Sequence, residues 1–95
     1  MYGSVSRWRV KDGSQAELER IADEMMRDPA PGSRSVNVYR SDTDPCEYWV
    51  AGVWDSREAY QSNSASPEQG ARYQRLRELM TTDPEWHDGE VVVSY

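Results

Sequence analysis

Cys46 to Gln69, CEYWVAGVWDSREAYQSNSASPEQ, is the stretch whose reading decides the fold. An apolar run ends at Trp54, Asp55 and Glu58 then mark a helix start, and Tyr60 follows one turn inside that helix. A second start signal, Ser66-Pro67-Glu68-Gln69, comes soon after. A strand therefore delivers an indole to the mouth of a two-piece helix, where an apolar pocket with a few polar groups can form. Residues 48–54 carry no charge, so both faces of this strand read as covered. Two helices cover one face of a sheet, and a second copy of the chain is the simplest cover for the other. Val91, Val92 and Val93 point the same way. The expectation is a homodimer joined through its sheet faces.

Outward from that stretch, the rest of the chain falls into place. Residues 2–10 read as a strand that ends at the turn Lys11-Asp12-Gly13. Ser14-Gln15-Ala16-Glu17 reads as a capping box, and Leu18, Ile21, Ala22, Met25 and Met26 follow at helical spacing. Asp28-Pro29-Ala30-Pro31-Gly32 stops this helix, because proline cannot donate and disfavours helix in the residue before it. Residues 34–41 and 46–54 read as strands two and three, joined by the turn Asp42-Thr43-Asp44-Pro45. The broken helix runs over about 56–63 and 67–80, Thr81-Thr82-Asp83-Pro84 ends it, and residues 90–95, EVVVSY, read as the last strand. The order β-α-β-β-α-β predicts a single α+β domain over 1–95, a ferredoxin-like sandwich. Its four-stranded antiparallel sheet carries two helices, the second one broken, on one face.

Composition excludes several functions. The chain has 95 residues and a formal net charge of −6, and its arginines are scattered among acids, so no basic stripe for nucleic acid exists. Cys46 is the only cysteine, which rules out an intrachain disulfide and fits a reducing compartment. With no signal-peptide core and no long apolar span, the expectation is a soluble cytoplasmic protein that does not engage membranes. His87, the only histidine, is too little for a metal site, and no CxxC, HExxH, GxGxxG or P-loop pattern supports zinc, flavin or nucleotide binding.

Trp54-x-x-x-Glu58-Ala59 followed by Ser66-Pro67 resembles the antibiotic biosynthesis monooxygenase domain of the dimeric α+β barrel superfamily. Pro31-Gly32, Tyr39-Arg40-Ser41 and the Asp44-Pro45 turn match it as well. The resemblance implies quinone-forming oxygenation without a cofactor, haem degradation, or a protein without assigned activity. Haem-degrading relatives carry an axial His in the second helix, where this chain has Tyr73. They also have a Trp at the place of Asn63 and an Asn on the first strand, which here reads Tyr2 to Ser6. Cofactor-free relatives use a pocket Trp, Tyr, Arg and Asn. Trp54 and Tyr60 match by position, while the place of the Asn is Val50.

Residue by residue, the candidates divide by role. Tyr48, Val50, Gly52 and Trp54 alternate onto one sheet face, which by resemblance lies beneath the helices. Gly52 leaves a gap beside Trp54 that could admit a flat ligand; the alternative is close helix packing or a bulge. In the second helix, Tyr73, Leu76, Leu79 and Met80 define an apolar stripe, and Arg72 and Gln69 project onto it. Arg72 is thus the cation expected at the pocket, unless it snorkels to an acid. Asn63, one turn after Tyr60, is a further polar contact or simply a helix-end residue.

Leu18, Ile21, Met25, Tyr73 and Leu76 are expected to supply apolar lining. The resulting assignment makes Trp54, Tyr60 and Arg72 the catalytic set of a cofactor-free monooxygenase. Its substrates would be O2 and an electron-rich phenol, quinol or polycyclic aromatic. The alternative is a non-catalytic dimeric module that binds a small ligand or serves assembly. The phase of Asn37 and Tyr39 is left undetermined by their strand.

Overall fold

A computed structural model describes residues 1–95. Its elements are β1 (Tyr2–Arg9), α1 (Gln15–Met26), β2 (Ser33–Arg40), β3 (Glu47–Trp54), α2 (Arg57–Ser64), α3 (Pro67–Arg77) and β4 (Glu85–Glu90). The strands form one antiparallel sheet in the order β2-β3-β1-β4, with α2 and α3 as the two pieces of the broken second helix. This is the α+β ferredoxin-like arrangement expected from the sequence.

Alternation along β1 sets the two ends of the helix-facing surface. Trp8 and Val10 are buried at one end, Ser4 and Ser6 at the other. The first pair joins Leu18 and Ile21 of α1, Tyr48 of β3, Leu76 of α3 and Met80 in one apolar cluster. Burying each such large side chain contributes about 1.5–3 kcal/mol. Tyr48 can be buried because its hydroxyl donates to Glu19, which also takes a two-nitrogen grip from Arg40 at 2.6 and 3.0 Å. That triad ties α1 to β2 and β3.

The broken helix starts as its residues dictate. Ser56 accepts from the Ala59 amide at 3.1 Å, and Ser66 accepts from the Gln69 amide at 3.2 Å with Pro67 in the first turn. Gly32 has φ +84°, a left-handed conformation that disfavours side chains, and a Cβ there would lie 2.6 Å from Ala59 Cβ. The loop and the start of α2 therefore close on each other only because residue 32 lacks a side chain.

Three expectations fail. The fourth strand is EWHDGE, Glu85–Glu90, rather than residues 90–95, and it contains His87. Val92 and Val93 are exposed outside the sheet and give no support to a covered strand. The register with β1, from Tyr2↔Glu90 to Arg7↔Glu85, uses a polar segment because β4 is an edge strand, where charged residues are tolerated and discourage further pairing. Helix α3 ends at Arg77 instead of 80, and Met80 turns back to bridge Val10. Finally, Ser14 makes no side-chain cap bond; Gln15 accepts from the Gly13 amide, while Glu17 pairs with Arg20 at 2.7 Å.

The phase of β2 is also fixed. Val36 lines the cavity described below and Val38 packs on the core, so Asn37 and Tyr39 face away from the helices. That outer sheet face exposes Tyr39, Trp49 and Val5. No helix is long and apolar enough to cross a membrane.

Candidate active site

Small residues on the sheet, Ser4, Ser6 and Gly52, leave space that the helices do not fill. A cleft of about 380 Å³ opens there between the sheet and α2 and α3, within the range of small-molecule sites. Met25 and Met26 at the end of α1 close one side, and Trp8, Val50 and Leu76 form the floor toward the core. Trp54, Tyr60, Asn63, Gln69, Arg72 and Tyr73 complete the wall. Each of these was a candidate from sequence, apart from Trp8, Met26 and the two serines.

Leu18 and Ile21 are not part of the lining. At 0% and 4% exposure they belong to the core cluster. The apolar stripe of α1 is continuous, but only its C-terminal end reaches the cleft. Gly52 does leave room beside the indole: a Cβ there would stand 3.6 Å from Trp54 Nε1, an ordinary contact.

Trp54 and Tyr60 meet edge to face, 5.8 Å between ring centroids, and Tyr2 packs on the other side of Tyr60 at 5.4 Å. Trp8 and Trp49 donate their indole N–H groups to Ser6 and Glu47. The Trp54 indole N–H has no acceptor in the chain and is not fully buried, so it is free to meet a ligand oxygen in the cleft.

The hydroxyl of Tyr60 donates to Asp88 Oδ1 at 3.1 Å and lies 3.4 Å from Ser4 Oγ, which itself donates to the same carboxylate oxygen at 2.6 Å. Burial, with the Asp88 charge adding to it, pushes the Tyr60 phenol above its ordinary value near 10. Tyr60 is therefore a protonated phenol at neutral pH and not a free base. Burial also raises Tyr73, assisted by Asp83.

Arg72 has a single carboxylate contact, Asp28 at 3.9 Å, and that acid is 90% exposed. Its guanidinium is thus barely committed. Arg34, a second cation at the cleft, is held by Asp55 at 2.5 Å. No three His, Cys, Asp or Glu side chains gather into a cluster that could hold a metal.

Besides Trp8, Met26 and the serines Ser4 and Ser6, sequence reasoning missed Arg34, Trp86 and Asp88. The serines could have been found, since Ser4 and Ser6 share the phase of Trp8 and Val10. Trp86 and Asp88 were lost with the misplaced last strand, whose register puts them opposite Ser6 and Ser4.

A four-stranded antiparallel sheet roofed by three helices, with a half-apolar cleft beneath the broken one, defines a small α+β ligand-binding or enzyme domain. The family model for antibiotic biosynthesis monooxygenase matches residues 1–75, and the chain belongs to that family. Membership supports a monooxygenase as the general kind of protein. No curated protein matches the sequence.

Solved structures agree on the fold. SnoaB from Streptomyces nogalater, described as a cofactor-independent oxygenase and solved as its N63A mutant, is 22% identical with a TM-score of 0.86, covering 98% of this chain and 94% of its own. A Chloroflexus aurantiacus protein that bears the same family name is 27% identical with a TM-score of 0.84, covering 99% and 95%. Rv0793 from Mycobacterium tuberculosis is 19% identical with a TM-score of 0.83, covering 98% and 96%.

Proposed function

We propose that the protein is a cofactor-independent monooxygenase that oxidises an electron-rich phenol, quinol or polycyclic aromatic to a quinone with O2. The observation that carries this reading is the pairing, on one cleft, of a loosely committed Arg72 with a hydrogen-bonded Tyr60 phenol beside the open face of Trp54. In the reaction, the substrate phenol loses its proton and the resulting anion passes one electron to O2. Recombination of the two radicals and loss of water then give the quinone. Arg72 stabilises the oxyanion, Tyr60 hydrogen-bonds it, and Trp54 walls the ring. Met25, Val50, Gly52, Tyr73 and Leu76 shape the apolar site, while Asn63 and Gln69 orient substrate oxygens.

The test is O2 uptake and quinone absorbance with a panel of hydroquinones and 1,8-dihydroxyanthrone. Uptake above the buffer rate with stoichiometric quinone is expected, and none with any member sinks the proposal. A second reading, capture of an aromatic ligand without turnover, draws on the raised ionisation of Tyr60, which leaves the cleft wall without a base of its own. Tryptophan quenching without O2 uptake would establish it.

The same proposal includes a homodimer through the outer sheet face. Tyr39 is 55%, Val5 42% and Trp49 37% exposed there, an apolar group on a surface that no helix covers. Sedimentation at micromolar concentration should give twice the chain mass, and Trp49→Arg should halve it. A wild-type monomer would end this part of the proposal.

A further inference from the structure

Tyr60 and Ser4 both line the cleft, whereas Asp88, which accepts a hydrogen bond from each, does not. The carboxylate sits behind them on an edge strand and is exposed to solvent. It reaches the cleft only through the hydroxyls in front of it. Two hydroxyls, from β1 and α2, thus converge on one carboxylate oxygen of β4: Ser4 Oγ at 2.6 Å and Tyr60 Oη at 3.1 Å from Asp88 Oδ1. Because Tyr60 donates its only proton to Asp88, its oxygen lone pairs are left to accept a proton from the cleft side.

We infer that Asp88 is the proton outlet of the site, a positioning residue that acts through Tyr60 and is assisted by Ser4. The inference rests on the phenol-oxidising reading above. In the step, the substrate's O–H bond breaks and its proton passes to Tyr60 Oη. Concurrently the Tyr60 O–H bond breaks and that proton passes to Asp88 Oδ1. Asp88 then releases it to bulk water. The substrate becomes a phenolate facing Arg72, Tyr60 is a phenol again, no electron has moved, and one proton has entered solvent. The arrangement removes the difficulty of using a phenol whose own ionisation is suppressed, because a free tyrosinate never forms. A carboxylate behind the tyrosine supplies the basicity the cleft wall lacks.

Asp88 is the one charge that acts appreciably on Tyr60. Its other polar neighbours, Ser4 and Ser64, are neutral. Glu90, the next residue on the same face of β4, stands opposite Tyr2 in the strand register, and Arg72 lies on α3 along the same cleft.

The decisive variant is Asp88→Asn, whose amide oxygen can still accept from Ser4 and Tyr60 but cannot take a proton. With 1,8-dihydroxyanthrone and O2, kcat should fall by about 100-fold, the lower range for losing a proton-transfer partner, while KM changes less than about twofold. Asp88→Glu should recover at least a tenth of the wild-type rate. Absorbance of tyrosinate, read as the difference between each protein and its Tyr60→Phe counterpart, should show Tyr60 ionising at lower pH in Asp88→Asn than in wild type. A reduced kcat together with that downward shift supports the inference. Wild-type turnover that is unchanged in Asp88→Asn, or an unchanged Tyr60 ionisation, overturns it and leaves the oxygenase reading standing. Absence of turnover in wild type itself overturns the oxygenase reading, and this inference with it.

Discussion

On the proposed mechanism, replacing Arg72 with Ala should separate catalysis from stability. The side chain is 32% exposed, and its one acidic contact, 3.9 Å long, goes to a carboxylate that is 90% exposed. Solvent screens such a pair almost completely, so its loss costs roughly 0–0.5 kcal/mol. Adding the lost contacts of the aliphatic stem keeps the total at about 1 kcal/mol. For a domain of this size that is a fall in Tm of roughly 4–8 °C at most. Removing one pre-placed donor to an oxyanion, in contrast, lowers kcat by about 100-fold or more, equivalent to about 2.7 kcal/mol of transition-state stabilisation. The functional loss should therefore exceed the stability loss by about 1.7 kcal/mol or more. Arg72→Lys, a point charge without the planar fork, should retain an intermediate rate. The assay pairs initial rates of quinone formation at saturating phenol with thermal unfolding followed by circular dichroism. A kcat within threefold of wild type would remove Arg72 from the chemistry. A melting temperature lowered by 15 °C would show that the guanidinium is structural and that its weak pairing has been misread.

Gly32→Ala should destabilise the fold by about 2–4 kcal/mol, combining a left-handed backbone conformation with a methyl 2.6 Å from Ala59 Cβ; urea unfolding measures it, and a loss under 0.5 kcal/mol would contradict the packing described. At Gly52 a Cβ meets no such clash, its nearest neighbours being 3.6–3.8 Å away, and the methyls of Gly52→Val reach beyond it to intrude beside the Trp54 indole. Affinity for an aromatic probe, read by tryptophan quenching, should fall at least about tenfold with Tm unchanged or slightly raised, since valine suits a strand better than glycine. The Glu19 carboxyl is held below its ordinary value near 4.5 first by the Arg40 hydrogen bonds and then by Tyr48. A carboxylate lowered in the folded state stabilises above its unfolded value, and that contribution disappears as pH falls from about 4.5 through the folded value. Unfolding midpoints of wild type and Glu19→Gln should therefore differ at pH 6 and converge toward pH 3; parallel curves would refute the assignment.

The parts of the fold that were legible from sequence are those where burial forces a pattern. Tyr48, Val50, Gly52 and Trp54 alternate because one face of β3 meets the core and the cleft, and Leu18, Ile21 and Ala22 recur because α1 is buried on one side. The last strand was not legible, because burial does not act on it. Every residue of β4 is exposed, and what fixes it is backbone pairing with β1, which leaves no hydrophobic signature. The β-branched Val91-Val92-Val93 outweighed it on propensity alone. That one error hid Trp86 and Asp88, and with Asp88 the partner of Tyr60. At the cleft, helical projection placed Arg72 and Gln69 on the wall, since phase within a helix survives small errors in its ends. It could not tell Leu18 and Ile21 from Met25, because successive turns of an amphipathic stripe look alike until the distance to the neighbouring sheet is known.

The division of the helix-facing surface into a filled end and an empty end follows from residue size on two adjacent strands. Pairing in β1 and β3 sets Trp8 against Tyr48 and Ser6 against Val50. One step further it sets Ser4 against Gly52. Side-chain volume falls along this series while the backbones stay at strand spacing. The helices can close on the sheet at the Trp8 end, where α1 and α3 supply Leu18, Ile21 and Leu76. At the Ser4–Gly52 rung there is nothing large to close upon before Tyr2 and Trp54 on the next rung, and α2 crosses the gap with no buried residue of its own. It is held instead by the Ser56 cap, the Gly32–Ala59 contact and the ring of Tyr60 wedged between Tyr2 and Trp54. A helix anchored by one aromatic side chain and its own start leaves its remaining face to the cleft. The same tyrosine that fastens the roof therefore also carries the hydroxyl that points at Asp88. In this fold, support for the cavity and the proposed chemistry within it rest on one residue.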